Sequence, residues 1–281
     1  MNRQLSAREL GHQAIINTVP ESEWQQNWQF SRALIEEINS HRIMSHPIMQ
    51  ALNGGKLSFE QMRVVHLEFF HAFAQVFTDA VIQAMFTASQ LESRLGPAAK
   101  PSARFLLQFN LLEELGFKPG FGSDGSYEGN PNGAHYAQFC DTLAKLHVDP
   151  KKINQYVPMA SSLACRATFE SCYGDHLLMT TLLAVSETVF HDYAGIWATG
   201  VAQSTDIDVT KGYHSIHVED ETGVSIEDGH SEDAWILFSQ AVTSDRYDAV
   251  KHHIYVWLNT WTAFLDDLLA GRFLQHQPQA A

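Results

Sequence analysis

The feature that most constrains the fold is a long apolar segment, about residues 158 to 203, whose hydrophobic residues recur at helical spacing. A long helix with apolar faces has to pack against other helices, because it cannot leave those faces in water. The pair Gly174-Asp175 is predicted to divide this segment into two helices. The segment therefore predicts a helical bundle with facing side chains in its interior.

The remaining predicted helices share the same period and are bounded by glycine, proline or capping residues. They cover about residues 24–41, 58–89, 101–115, 134–147, 232–243 and 246–270. Residues 116–133 contain six glycines and are predicted to be a loop. No strand-like alternation, repeat or linker is evident, so we expect an all-α, single-domain bundle of seven or more helices over residues 23–271. Residues 1–22 and 272–281 are then an N-terminal extension and a C-terminal tail.

Charge and composition exclude several classes of function. The 281 residues include 18 Lys and Arg against 32 Asp and Glu, a net charge of −14, which argues against nucleic-acid binding. The N-terminus lacks the apolar run of a signal peptide, and the longest nearly apolar stretch, residues 177–185, is far shorter than the roughly 20 residues that span a bilayer. We therefore expect a cytoplasmic protein without a membrane segment. The three cysteines form no CxxC pair and are expected to be free thiols.

The 15 histidines, together with the many acids, are suitable ligands for a metal that prefers oxygen and nitrogen. One candidate is Glu68-x-x-His71, half of the ferritin-like di-metal motif. Its only possible partner, Glu227-x-x-His230, contains Gly229 in an acidic stretch that we expect to be irregular. A structural polar pair is therefore the favoured interpretation of Glu68 and His71.

A second constellation is spread over the chain. The sequence Asn110-Leu-Leu-Glu-Glu-Leu-Gly116 ends a helix, and His135 follows the glycine-rich loop. Glu187 lies within an apolar helix, where a buried carboxylate must be paired or bound to a cation. His217-Val-Glu-Asp-Glu221 comes next, with His230 nine residues further on. Each residue alone is best explained structurally, and only the joint pattern indicates a site.

This order of motifs resembles the haem-oxygenase-like di-iron oxidases, also called the iron-containing redox enzyme family, within the thiaminase-II and PQQ-synthase-C-like superfamily. The stretch HPIMQALNGGKLSFEQMRVVHLEFFHAFAQVF is similar to the opening helix pair of that superfamily. The resemblance covers roughly residues 25–265.

The resemblance implies a ligand set of three carboxylates and three imidazoles. These residues are Glu114, His135, Glu187, His217, Glu221 and His230. Glu187 would bridge the metals, while Glu113 and Asp220 are the alternatives to Glu114 and Glu221. Such a set suits two Fe(II) ions, or a mixed Mn/Fe pair, with open positions for O₂ and substrate.

The implied function is an O₂-dependent oxidase or oxygenase acting on a small molecule, by amine N-oxygenation or by desaturation or C–C cleavage of an amino or fatty acid. Family analogy alone suggests a homodimer. One alternative is a metal-independent enzyme of the same superfamily, for which Cys165, Cys172, Glu170 and His176 are the available residues. Another is a binding protein that keeps the fold without catalysis.

Two further sets of residues are weighed for the pocket. His66, Phe70 and His71 are candidates to line it without binding metal. The pairs His252-His253 and Trp257 with Trp261 are expected to be helix-surface and core residues.

Overall fold

The computed structural model describes residues 5–121, 127–216 and 226–271, and most of these residues are helical. The α-helices are α1 (Ala7–Ile16), α2 (Glu21–Asn39), α3 (Pro47–Asn53), α4 (Phe59–Phe69), α5 (Phe77–Thr87), α6 (Glu92–Leu95), α7 (Ala99–Glu114), α8 (His135–Lys145), α9 (Ala160–Glu170), α10 (His176–Ser204), α11 (Tyr213–Ile216), α12 (Ile226–Ala241) and α13 (Tyr247–Leu269). Their buried apolar side chains form a large common core. The predicted all-α, single-domain bundle is confirmed.

The 29-residue helix α10 lies at the centre of the bundle. Its residues are buried on most sides, and it packs against α12, α3 and α5. The predicted break before it is present: Gly174 has φ of +91°, a conformation that glycine adopts without steric cost. Asp175 then caps α10 by accepting a 3.0 Å hydrogen bond from the backbone N–H of Leu178.

The predicted helix from residue 58 is one helical stretch, Phe59–Leu95, with a turn of π-helix at Phe70–Ala74 between α4 and α5. Ser58 and Gln61 form the expected capping box at its start. Its most apolar 18-residue window has a mean hydropathy of 1.2, and half of that window is buried inside the protein. The stretch is thus long and apolar enough to cross a membrane by composition, yet it packs as a core helix does.

The predicted loop at residues 116–133 contains a strand pair that the sequence analysis missed. Strands β1 (Phe117–Phe121) and β2 (Tyr127–Gly129) are antiparallel, with Phe117 opposite Gly129. A Cβ at Gly129 would lie only 2.7 Å from the ring of Phe117, so the glycine makes room for the aromatic ring. The pair escaped prediction because its glycines remove the alternation of side chains that identifies a strand.

Helix α1 belongs to the stretch assigned as an N-terminal extension. It packs against α7 and α12, and Ile15 near its end is fully buried. Ser6 and Glu9 form a capping box at its start. The tail at 272–281 lies outside the described residues.

The expected irregular segment at 204–232 is partly helical, which corrects the sequence analysis. Helix α12 begins at Ile226, so Gly229 is inside a helix and not in a loop. A Cβ at this position would overlap the guanidinium of Arg8. The glycine therefore leaves room for the guanidinium of Arg8 against α12.

The buried His176 at the start of α10 predicts an acid-dependent loss of stability. Burial lowers the pKa of His176 to about 4, although its Nδ1 donates a 3.0 Å hydrogen bond to the carbonyl oxygen of Ala84. The unfolded chain therefore binds the proton more readily, and the contribution of His176 is present above pH 6.5 and is lost as the pH falls towards 4. We expect His176→Gln to reduce the loss of unfolding free energy between pH 6.5 and 4.5 by roughly 2 kcal/mol.

Urea unfolding followed by circular dichroism at the two pH values measures this difference. His252→Gln, at an exposed position of α13, is the matched control and should behave as the wild type does. An equal loss in the His176 variant and the wild type would contradict the prediction.

Candidate metal centre

Four of the six predicted ligands line a single buried pocket. Glu114 ends α7, His135 begins α8, Glu187 lies in the middle of α10 and His230 lies in α12. Each of the four is less than a tenth exposed. Residues separated by more than a hundred positions in the chain are thus brought together by four different helices.

The other two predicted ligands, His217 and Glu221, and the alternative Asp220 lie outside the described residues. Ile216, the residue directly before His217, lines the same pocket. The described part of the chain therefore reaches the wall of the pocket at Ile216.

The glycine-rich insertion brings Glu114 and His135 into contact. His135 Nδ1 donates to Glu114 Oε1 over 2.8 Å, although 21 positions separate the two residues. Gly116 has φ of +86°, and a Cβ there would overlap the carbonyl oxygen of Asn130. The chain before and after the insertion therefore meets at Gly116, which leaves the side chains of Glu114 and His135 adjacent.

The electrostatics of this pair favour a charged imidazole. Burial disfavours the charged form of His135, but the Glu114 carboxylate outweighs this effect and raises the pKa of His135. The other oxygen of Glu114, Oε2, accepts a 3.1 Å hydrogen bond from the hydroxyl of Thr78 on α5. Glu114 is therefore oriented from two sides.

Glu187 is the carboxylate that the sequence analysis required to be paired or bound to a cation. The side-chain amide of Asn110 donates a 3.1 Å hydrogen bond to its Oε1. Asn110 lies one helical turn before Glu114, so both side chains come from the same face of α7. Asn110 was quoted in the sequence motif but not assigned a role, and its position four residues before Glu114 is the signal that could have identified it.

His230 is held by the neighbouring acid of the same motif, Glu113. Its Nε2 donates a short hydrogen bond to Glu113 Oε2. Burial opposes protonation, but this hydrogen bond and the charge of Glu187 outweigh burial and raise the pKa of His230 to about 9. The two consecutive acids thus have different positions: Glu114 lines the pocket with His135, and Glu113 contacts His230.

Helix α1 supplies a cluster of charges behind His230. Arg8 lies 3.7 Å from Glu113 and 3.5 Å from Asp233, and His12 Nε2 donates to Asp233 Oδ1 over 2.5 Å. Nothing in the local sequence of α1 indicates this role, because the residues it contacts lie about 100 and 220 positions away. These ion pairs fix the first turns of α12 and, with them, His230.

The donor types of the pocket suit a di-metal centre, although the side chains are not arranged as ligands. Within the described ranges, no three His, Cys, Asp or Glu side chains are arranged to hold a metal ion. Carboxylates and imidazoles hydrogen-bond to each other instead, as in the Glu114–His135 and Glu113–His230 pairs. Carboxylate and imidazole are ligands that divalent iron and manganese accept, and an imidazole has to be neutral to bind a metal ion.

Glu68 and His71, interpreted from the sequence as a polar pair, each contact the segment that leads into α9. Glu68 is buried and accepts hydrogen bonds from the Tyr156 hydroxyl, from the Met159 backbone N–H at 3.0 Å and from the Ser162 hydroxyl at 2.5 Å. These donors lie before and within the first turn of α9, so Glu68 anchors the start of that helix. His71 stacks on Tyr156 with 5.6 Å between the ring centroids.

The residues of the metal-independent alternative do not line the pocket. Cys165 and Cys172 are buried, and burial raises the pKa of both thiols, which disfavours the nucleophilic thiolate. Glu170 is exposed and pairs with Arg166 on its own helix. His176 is buried against α5, where it contacts Ala84.

A second cavity, of about 70 Å³, adjoins the first and is lined almost entirely by apolar side chains. The two share Phe73, Ser186 and Phe190 as lining residues. Trp257 and Trp261, expected only in the core, line this second cavity. We name it the aromatic cavity, and the pocket of Glu114, His135, Glu187 and His230 the acid–histidine pocket.

Three residues considered as pocket lining lie elsewhere. His66, Phe70 and His71 are buried but line neither the acid–histidine pocket nor the aromatic cavity. His66 instead donates from Nδ1 to the carbonyl oxygen of Met62 and lies 3.0 Å from His214. The side chains of α4 that face the aromatic cavity are Val65 and Phe69, so the sequence analysis was wrong about the face of this helix.

Comparison with known proteins supports the fold. No family model matches the chain, and no curated protein matches it. Two crystal structures of a CadD-like protein of unknown function from Nostoc punctiforme are similar at 14% sequence identity, with TM-scores of 0.58 and 0.57. The alignments cover 86% and 91% of this chain and 97% and 100% of the other. At this identity the likeness extends to the fold alone.

Replacing Glu68 is expected to affect stability and not the candidate metal centre. Glu68→Ala leaves the Tyr156, Met159 and Ser162 donors without their acceptor, which should cost about 2 to 4 kcal/mol of unfolding free energy. Urea unfolding measures the cost. Glu60→Ala, an exposed acid on the same helix, is the control and should change stability by less than about 0.5 kcal/mol.

Replacing Glu113 is expected to change the titration of His230. Glu113→Gln removes the carboxylate that favours the imidazolium, so the pKa of His230 should fall from about 9. In the wild type this group stabilises the fold fully below pH 6.5, and the contribution is lost as the pH rises through about 9. An NMR titration of the histidine ring protons measures the shift. If the pKa of His230 is the same in Glu113→Gln as in the wild type, Glu113 does not raise it. Glu92→Gln on α6 is the control and should leave the pKa of His230 unchanged.

Proposed function

We propose that the acid–histidine pocket binds two Fe(II) ions and that the protein is an O₂-dependent oxidase or oxygenase of a small molecule. The observation that carries the proposal is the convergence of Glu114, His135, Glu187 and His230 from four helices into one buried pocket. Buried carboxylates and imidazoles are costly in an apolar bundle, and metal binding is a function that requires them. The sequence resemblance to haem-oxygenase-like di-iron oxidases supports the same assignment.

In this proposal the four pocket residues hold the metal together with the predicted ligands His217 and Glu221. When bound, Fe(II) supplies the electrons that reduce O₂. The remaining residues orient the ligands: Asn110 positions Glu187, Thr78 positions Glu114 and Glu113 positions His230. Hydrogen bonds of this kind around ligand side chains tune metal affinity and geometry.

The surrounding side chains keep water away from the reacting groups. Phe73, Phe77 and Phe190 line the acid–histidine pocket beside the polar residues. Exclusion of water strengthens electrostatic interactions within the pocket and protects reactive species from side reactions. The neighbouring carboxylates raise the pKa of His135 and of His230, and an imidazole binds metal in its neutral form. Metal binding at these residues should therefore be favoured by higher pH.

Anaerobic titration with Fe(II) tests the proposal. The wild type should bind two equivalents of iron per chain, and admission of O₂ should then change its visible absorbance. Glu187→Ala should lower the stoichiometry and remove the absorbance change, because it removes the carboxylate in the middle of the pocket. Glu170→Ala, at an exposed position of α9, should match the wild type.

A stoichiometry well below two in the wild type, with no response to O₂, would overturn the proposal. Circular dichroism of both variants checks that they are folded. If Glu187→Ala binds as much iron as the wild type, Glu187 is not a metal ligand.

A further inference from the structure

The aromatic cavity is formed by one continuous face of α10 and the helices packed on it. Ser186, Val189, Phe190, Tyr193 and Trp197 recur at three- and four-residue intervals along that face and line the cavity. Glu187 lies beside Ser186 on the same helix and lines the acid–histidine pocket. One rigid helix therefore fixes the position of the cavity relative to the candidate metal centre.

The two hydroxyl groups on this face of α10 are already engaged. The Ser186 hydroxyl donates a 2.7 Å hydrogen bond to the carbonyl oxygen of Leu182 in its own helix. The Tyr193 hydroxyl donates a 2.5 Å hydrogen bond to the carbonyl oxygen of Ile43. The surface of the cavity is thus almost purely hydrocarbon and aromatic. Within the described ranges, the indole N–H groups of Trp197, Trp257 and Trp261 in its lining have no hydrogen-bond partner.

The boundary between the two cavities is also apolar. Phe73 and Phe190 are the aromatic residues common to both, and their ring centroids lie 5.9 Å apart. A molecule that extends across this boundary would pass from aromatic surroundings directly to the carboxylates and imidazoles. Ligand sites commonly combine such an apolar lining with a few polar groups that fix orientation.

We infer that the substrate is amphipathic, with an apolar chain or ring of a few carbons in the aromatic cavity and its reacting end at the Phe73–Phe190 boundary. This inference rests on the proposed function and adds the substrate class to it. Val189 lines the cavity on α10 one turn from Ser186, so a change in the volume of its side chain should change the size of the apolar part that fits. The recognition is hydrophobic, so affinity increases with buried carbon until the cavity is full.

A series of straight-chain alcohols from methanol to 1-hexanol tests the inference on the metal-free full chain. Binding is followed by intrinsic tryptophan fluorescence, since Trp197, Trp257 and Trp261 line the cavity. Affinity should rise about fourfold per added methylene, the gain expected for a buried CH₂ group, and then reach a plateau. Neutral alcohols keep the charge of the acid–histidine pocket out of the measurement.

One larger and one smaller side chain at position 189 test whether the alcohols bind in the aromatic cavity. Val189→Phe should move the plateau to shorter alcohols, and Val189→Ala should move it to longer ones. Val201→Ala is the matched control, because Val201 is a buried valine of the same helix that does not line the cavity. If Val189→Phe does not fold, the shift in Val189→Ala against Val201→Ala still decides the outcome.

The absence of chain-length dependence in the wild type, or the same plateau in Val189→Ala and Val201→Ala, would overturn the inference. Iron binding is measured in a separate titration of the same protein. If the protein binds iron but no alcohol, the inferred substrate class is wrong and the proposed function still stands. If the protein binds alcohols but no iron, the proposed function is wrong, and the aromatic cavity is only a hydrophobic binding site.

Discussion

The burial of α10 is the constraint on which the rest of the structure depends. This helix is apolar over most of its circumference, so α3, α5 and α12 have to surround it. A carboxylate in its middle, Glu187, then lies in the interior, where it needs a partner. The architecture that hides the apolar side chains of α10 therefore also creates the polar site.

The buried charges are balanced in pairs drawn from different helices. His135 pairs with Glu114, His230 with Glu113, and Asp233 with His12 and Arg8. Each pair reduces the cost of burying its members, and removing one partner would leave an uncompensated charge. Carboxylates and imidazoles are also the ligand types of the proposed metal site, so these pairs would have to rearrange if the proposed metal ions bound.

Local patterns predicted most of the helices correctly, because each pattern reports on a few consecutive residues. The Ser58–Gln61 capping box and the break at Gly174 are both present in the structure. The strand pair in the glycine-rich segment was not predicted, because its glycines remove the alternation of side chains that identifies a strand. The helical position of Gly229 was not predicted, because glycine has a low helix propensity. The guanidinium of Arg8, from a distant part of the chain, occupies the space that a side chain at position 229 would need.

The sequence by itself determined that the chain is an all-α bundle with a set of acids and histidines on and between its helices, since helical period and capping are local properties. Only the tertiary structure decided that Glu114, His135, Glu187 and His230 share a pocket. It alone placed Arg8 behind Glu113 and joined an aromatic cavity to that pocket. The reason is physical: which faces of distant helices meet is set by the packing of the whole core, and no single segment encodes it.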